Sequence, residues 1–461
     1  MKKIATKVDL TGVNVAKNML VFALPLMLSS WLQLSFNLAD YIICGFFVSE
    51  LAVGAIGATG SICSLIVDLF IGLSVGVNVV ISNAFGSKDK EKAERVIGCS
   101  TLIALVSGAV LAVIGLSCSR FFLEAMGTSV NMIDMSTDYM MIYFIGVPFL
   151  LLYNFSSAFL RGMGNSFKPF LYLTIGGIIN VVFNIVLVLP PFNLGVKGLA
   201  IATVSSEVVS SVLCYITLFR GKEFARFELK KLRFFKSETI SILKIGIPAG
   251  IQSMMFDVAN VLIQSHINSF GDSTVTGDSS AQRLIAFVYT GADAFAQAGV
   301  AFVAGNIGAK KIDGIKKSMK WCIIYCVLAD AILSGVELLL RKPLLGLIIH
   351  PGTDLNYYQE AMDIAQLCMY INLGSHILMA LVDCLACLER GLGESNLPAI
   401  VSFIGICVVR IVYVFTFFMM PELHHMEYLY IAYPISWLIT ATAHGICLHF
   451  VKKKKMNALN V

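Results

Sequence analysis

Asp40 lies in FNLADYIICGFF, residues 36–47, inside an apolar stretch long enough to cross a membrane. A carboxylate there opposes insertion by roughly 2.5–3.5 kcal/mol, so it reads as a functional residue that needs a partner. Three other oxygen-bearing residues fall at a similar depth. Asp40 is seven residues before Phe47, Asn184 six before Pro190, and Thr203 five after Gly198. At 1.5 Å per residue, each is about 7–11 Å from the outer end of its helix. Asn180 stands four residues before Asn184, on the same face one turn away. A carboxylate, two amide carbonyls and a hydroxyl suit a hard monovalent cation such as Na+. The same residues could instead hold one proton on Asp40. The plainer alternative is that the asparagines are interhelical packing contacts.

A second group of candidates, for substrate or a second cation, comprises Asp257, Asp383, Asn154, Asn260 and Glu207. Asn154 is the repeat partner of Asp383, and Asn260 that of Asn37. Acids well inside apolar spans (Asp40, Asp68, Glu207, Asp257, Asp293, Asp330, Glu337, Asp383) outnumber the bases there, Arg283 and Arg410. Such an interior attracts cations. Asp68, Asp330 and Glu337 read as interface-proximal or paired acids, and Arg283 with Asp293 as one such pair. No phosphate-binding glycine loop, HExxH or GxSxG in a strand context appears. The expectation is therefore no enzyme, no catalytic residue, no cofactor and no metal beyond Na+ at Asp40.

The elements that position these residues are membrane helices. The chain is 57% hydrophobic and 14% charged, with a mean hydropathy of +0.81, which excludes a soluble globular protein. About twenty apolar residues span the hydrocarbon core, and twelve such segments occur, from 18–46 to 428–451. The first has no cleavage pattern and is read as a helix that stays in the mature protein. Lys2, Lys3, Lys7 and Lys17 precede helix one, and Lys452 to Lys455 follow helix twelve, so both termini are expected in the cytoplasm. The net charge of +5 then follows from topology and implies no nucleic-acid partner. The twelve cysteines fall almost entirely in apolar helices and read as small packing hydrophobes, Cys322, Cys326, Cys384 and Cys387 included. The histidines carry no signal, with His266 and His376 read as near helix ends.

An internal repeat organises the spans. Pro25 and Pro248 lie 223 residues apart, Gly127-Thr128 and Gly352-Thr353 lie 225 apart, and RGMGNSFKP at Arg161 returns as RGLGESNLP at Arg390, 229 further on. Six spans per repeat start both halves on the same side, related by an axis along the membrane normal. The expected fold is an all-α polytopic membrane protein of twelve helices in two six-helix lobes with pseudo-two-fold symmetry: N-lobe 1–219, cytoplasmic connector 220–240, C-lobe 241–461. The connector's basic and aromatic residues, Arg220 to Ser237, suit the headgroup boundary or a solvated loop. Gly54, Gly57 and Gly60 read as a packing stripe. Pro25 and Pro248 free a backbone carbonyl and permit a bend.

With Pro25 and Asp40 in helix one, NAFGSKDKEKA after helix two, RGMGNSFKP after helix four, Asn180 in helix five and LGVKGLAIATVSSE entering helix six, the chain resembles the multidrug and toxic compound extrusion (MATE) transporters. GIPAGIQS, FVAGNIGAKK and RGLGESNLP extend the resemblance into the second half, over about residues 15 to 450. It implies a bacterial antiporter with two lobes in a V shape, exporting organic cations or drugs against inward Na+ or H+. The family's N-lobe cation site corresponds to Asp40, Asn180 and Thr203. Asn184 stands where the DinF-like branch commonly has an acid, and Asp257 where the NorM-like branch places one in the C-lobe. The expected setting is the bacterial plasma membrane, as a monomer partnered by lipid and by small organic cations. Two rival classes stay open: a lipid-linked-precursor flippase of the wider superfamily, and a non-transporting membrane protein.

Overall fold

The computed structural model describes residues 7–221, 223–349 and 355–460. Lys2 and Lys3 of the charge argument and the repeat match at Gly352-Thr353 lie outside the described residues. The described residues form twelve long apolar helices and no strand. They are α1 (Val15–Phe47), α2 (Glu50–Gly86), α3 (Lys90–Ala125), α4 (Ile133–Gly162), α5 (Phe167–Val188), α6 (Val196–Phe219), α7 (Lys236–Ile267), α8 (Asp272–Gly308), α9 (Ile312–Gly346), α10 (Leu355–Gly391), α11 (Asn396–Phe418) and α12 (Met426–Asn460). Even the shortest, 22 residues, is about 33 Å long and reaches across a hydrocarbon core of about 30 Å. All-helical spanning segments satisfy every backbone group internally, which lipid requires.

Local signals set the ends. Ser49 accepts from the Ala52 amide and Asp89 from the Lys92 amide, capping α2 and α3. The repeated RGxG motif ends α4 and α10 in the same way: Gly164 and Gly393 have φ of +83° and +90°, a conformation that favours glycine. The repeat is therefore visible in backbone conformation as well as in sequence.

The helices divide into two compact units. The first holds Leu24–Gly250 and Ala304–Lys311, together with the described residues of Met1–Gly12. In it α4 packs on α2, α3 and α6, and α5 packs on α6. Helix α2 and the first half of α7 approach closely. A Cβ added to Gly72 would lie 2.3 Å from the Gly250 Cα, and one on Gly76 2.4 Å from the Ile242 carbonyl oxygen. Gly57 and Gly60, by contrast, would meet nothing within 4 Å, so the packing stripe expected at Gly54–Gly60 is not where backbones touch. The connector belongs to this unit and is pinned to it: Lys231 bonds Glu94, Arg95 pairs with Glu238 at 3.2 Å, and Lys168 reaches Glu223. The Glu94 carboxylate beside Lys231 holds its ammonium above the ordinary range.

The second unit holds Val13–Ala23, Ile251–Val303 and the described residues of Ile312–Val461. Here α10 packs on α9 and α12. Two π-helical stretches, Phe403–Val408 and Val414–Phe418, flank Arg410 in α11. Such bulges rotate the side chains that follow them, and Arg410 is 2% exposed. Its guanidinium donates to Asn260 Oδ1 at 3.0 Å and Ser436 Oγ at 3.1 Å, and lies over the Tyr433 ring.

Candidate ion-binding site

Three helices of the first unit each present one face to a common pocket. On α1 these are Gln33, Phe36, Asn37 and Asp40; on α5, Leu173, Gly177 and Asn180; on α6, Thr203, Ser206, Glu207 and Ser210. The intervals of three, four and seven residues are those of a single helical stripe. Leu150 and Tyr153 of α4 complete the lining. The cavity has a volume of about 110 Å³, room for an ion with several waters. Among the described residues it is lined by two acids, Asp40 and Glu207, and by no lysine or arginine.

At one end of the pocket the four residues of the proposed cation set meet. Asn184 donates through Nδ2 to Asp40 Oδ1, and the same amide nitrogen lies 3.2 Å from Asn180 Oδ1. The Thr203 hydroxyl is 3.5 Å from Asp40 Oδ2 and 3.1 Å from the Leu199 carbonyl, so its single proton serves one of them at a time. Asn180 Nδ2 donates to Thr203 Oγ1 at 3.4 Å. Asn180 and Asn184 are buried and Asp40 is half-buried.

These residues fit a hard cation on one specific observation. Asn184 Oδ1 is buried and accepts no hydrogen bond, while its nitrogen faces the carboxylate. A half-turn of that amide exchanges donor for acceptor, giving an oxygen set of Asp40, Asn180, Asn184 and Thr203 without moving the backbone. They also fit a proton, since Asp40 Oδ2 protonated would donate to Thr203 Oγ1.

One turn beyond the site, toward the C-terminal ends of α1 and α5 and the start of α6, apolar side chains pack together. Ile43, Cys44, Ala52, Ile56, Val188, Val196 and Leu199 form one buried cluster there. In the pocket wall, a Cβ on Gly177 would fall 1.7 Å from the Phe36 ring, so the ring occupies the space a side chain would take. Gly177→Val is expected to push Phe36 into the pocket and lower transport about tenfold while the protein still elutes as a single species on size exclusion.

The other sequence candidates are distributed differently. Glu207, placed by sequence with a second site, lines the Asp40 pocket. Asn154 Nδ2 donates to the Leu150 carbonyl of its own helix, in the first unit. Asp257, Asn260 and Asp383 lie in the second unit. Asn260 serves as acceptor for Arg410, and Asp383 has Tyr289, Asp293 and Arg390 for neighbours. Asn260→Ala removes a charge-assisted bond worth about 1.5–3 kcal/mol from a buried guanidinium. The expected result is a lower melting temperature in detergent with unchanged ion preference.

Sequence reasoning passed over two buried acid–histidine contacts of the second unit. His376 lies within α10, not near its end, and its Nδ1 is 2.5 Å from Asp330 Oδ1. His444 Nδ1 is 3.4 Å from Glu389 Oε1. Asp330 is thus a paired acid, as its placement in the sequence implied.

A family model described as MatE matches residues 25–186 and 248–416, one block per repeat, each beginning at its proline. The chain is 27% identical over 448 residues to the "Probable multidrug resistance protein YoeA" of Bacillus subtilis (strain 168), covering 96% of this chain and 95% of that one. It is 25% identical over 329 residues to the "FAD transporter" of Shewanella oneidensis, covering 68% and 71%. In fold it resembles a MATE protein crystallised in complex with MaL6, with a TM-score of 0.87 at 20% identity, covering 100% of this chain and 99% of that one. A multidrug resistance MATE family transporter of the MOP superfamily, in an outward-facing conformation, gives 0.87 at 19% with the same coverage. With both halves matched and twelve spanning helices in place, the chain belongs to the MatE family, whose members are membrane transport proteins and not enzymes.

Proposed function

We propose that this protein is a secondary multidrug efflux antiporter of a bacterial plasma membrane, working as a monomer with both termini in the cytoplasm. It exports small organic cations in exchange for Na+ or H+ bound at Asp40. The observation that carries this reading is the half-buried Asp40 carboxylate, held by Asn184 and Thr203 at the head of an acid-lined pocket. The names of the relatives support the substrate class. A flippase for lipid-linked pyrophosphates calls for a basic cavity, and this lining has no base.

The test is uptake of a cationic dye into everted vesicles, with Na+ and pH gradients imposed separately. Transport that follows one gradient names the coupling ion; transport indifferent to both refutes antiport. Within this reading, Asn184→Ala removes a donor to Asp40 and a candidate ligand together. It is expected to raise the half-saturating concentration of the coupling ion about tenfold, equivalent to about 1.4 kcal/mol.

A further inference from the structure

Cys322 and Cys326 are one turn apart on α9, and Cys384 faces them from α10. Their three sulfurs all lie within 4.8 Å of one another, and Cys322 and Cys384 Sγ are 3.5 Å apart. All three are free thiols, and none is more than 1% exposed. Space for them is built into α8: a Cβ on Gly299 would lie 2.4 Å from Cys322 Sγ, and the Phe295 and Ala292 carbonyls accept from Cys322 and Cys326. Three sulfurs around one soft centre with bonds of about 2.3 Å stand at most about 4.0 Å apart, which falls within the observed spread.

We propose that these cysteines form a three-thiol site for a trivalent thiophilic metalloid, arsenic(III) or antimony(III). Thiol ligands select soft centres. Charge decides among those. Zn2+, Cd2+ or Cu+ on three thiolates leaves a net negative complex, which is costly to bury among apolar helices. Arsenous acid is uncharged and leaves an uncharged product. Three As–O bonds break and three As–S bonds form; each thiol proton departs with a hydroxide as water, and neither arsenic nor sulfur changes oxidation state. The product ties α9 to α10.

Purified protein, kept reduced with a phosphine, is incubated with sodium arsenite, desalted and washed with a monothiol. Arsenic per chain is then counted and intact mass recorded. Wild type is expected to retain one arsenic, with a mass gain of one arsenic less three hydrogens. Cys384→Ala should retain at least about tenfold less, and Cys214→Ala, a buried cysteine of the first unit, as much as wild type. If Cys384→Ala does not elute as a single species, Cys326→Ser makes the same comparison. No arsenic on wild type, equal retention by Cys384→Ala or Cys326→Ser, or retention of Cd2+ in preference to arsenite overturns the proposal.

Discussion

Asp40→Asn is expected to abolish ion-driven export while the protein folds and inserts normally. The change is nearly isosteric and keeps an oxygen beside Asn184 and Thr203, so packing in the pocket survives. What it removes is the only charge among the four residues of the set. Two unit charges about 4 Å apart at an effective dielectric of about 20 interact by about 4 kcal/mol. That corresponds to roughly a thousandfold in ion affinity. A proton-coupled cycle fails equally, because an amide does not titrate. Dye efflux from vesicles under each gradient is the measurement, with size-exclusion profiles to show that the fold is intact. Asp40→Asn driven by either gradient at wild-type rate would remove this residue from the mechanism. Asp40→Glu, which keeps the charge but lengthens the side chain, is expected to retain part of the activity.

Gly72→Val is expected to eliminate folded protein. The added Cβ would stand 2.3 Å from the Gly250 Cα and 2.4 Å from its amide nitrogen, where carbon contacts are normally about 3.5–4.0 Å. The obstruction is backbone, so no side-chain rotation relieves it. On the opposite face, Gly250 would clash with the Leu69 carbonyl at 2.1 Å and Gly246 with the Leu73 Cα at 2.7 Å, so α7 cannot slide to make room. In lipid, where association rests on such close packing, separating two backbones forfeits most of the contact. Gly57→Ala provides the contrast, since nothing lies within 4 Å of its added carbon. Fluorescence-detected size exclusion should show no monodisperse peak for Gly72→Val and a wild-type peak for Gly57→Ala. Equal profiles would show that the α2–α7 crossing is not needed.

These two residues also show what could be read from the chain. The twelve spans were legible because a stretch of some twenty apolar residues has few other uses, and the repeat was legible because RGxG must end a helix in the same backbone conformation twice. Asp40, Asn180, Asn184 and Thr203 could be gathered by depth alone, since helical rise fixes distance from a helix end. Gln33, Ser206 and Ser210 were missed, although they continue the same stripes, Gln33 seven residues from Asp40 and Ser206 and Ser210 three and seven from Thr203. Glycine packing was misplaced for a different reason. A small residue permits close approach but does not choose a partner, and only the fold shows that Gly72 and Gly76 have one while Gly57 does not. Acid–histidine contacts such as Asp330 with His376 join residues 46 apart in sequence, which no local pattern reveals.

The apolar cluster beyond Asp40 bears on leakage. Ile43, Ile56, Val188 and Leu199 pack together one turn from the Asp40 set and offer an ion no polar side-chain ligand. In the proposed antiport cycle, an ion leaving Asp40 in that direction would give up oxygen ligands for hydrocarbon side chains. On that reading, side-chain packing beside the carboxylate opposes dissipation of the gradient without exported cargo.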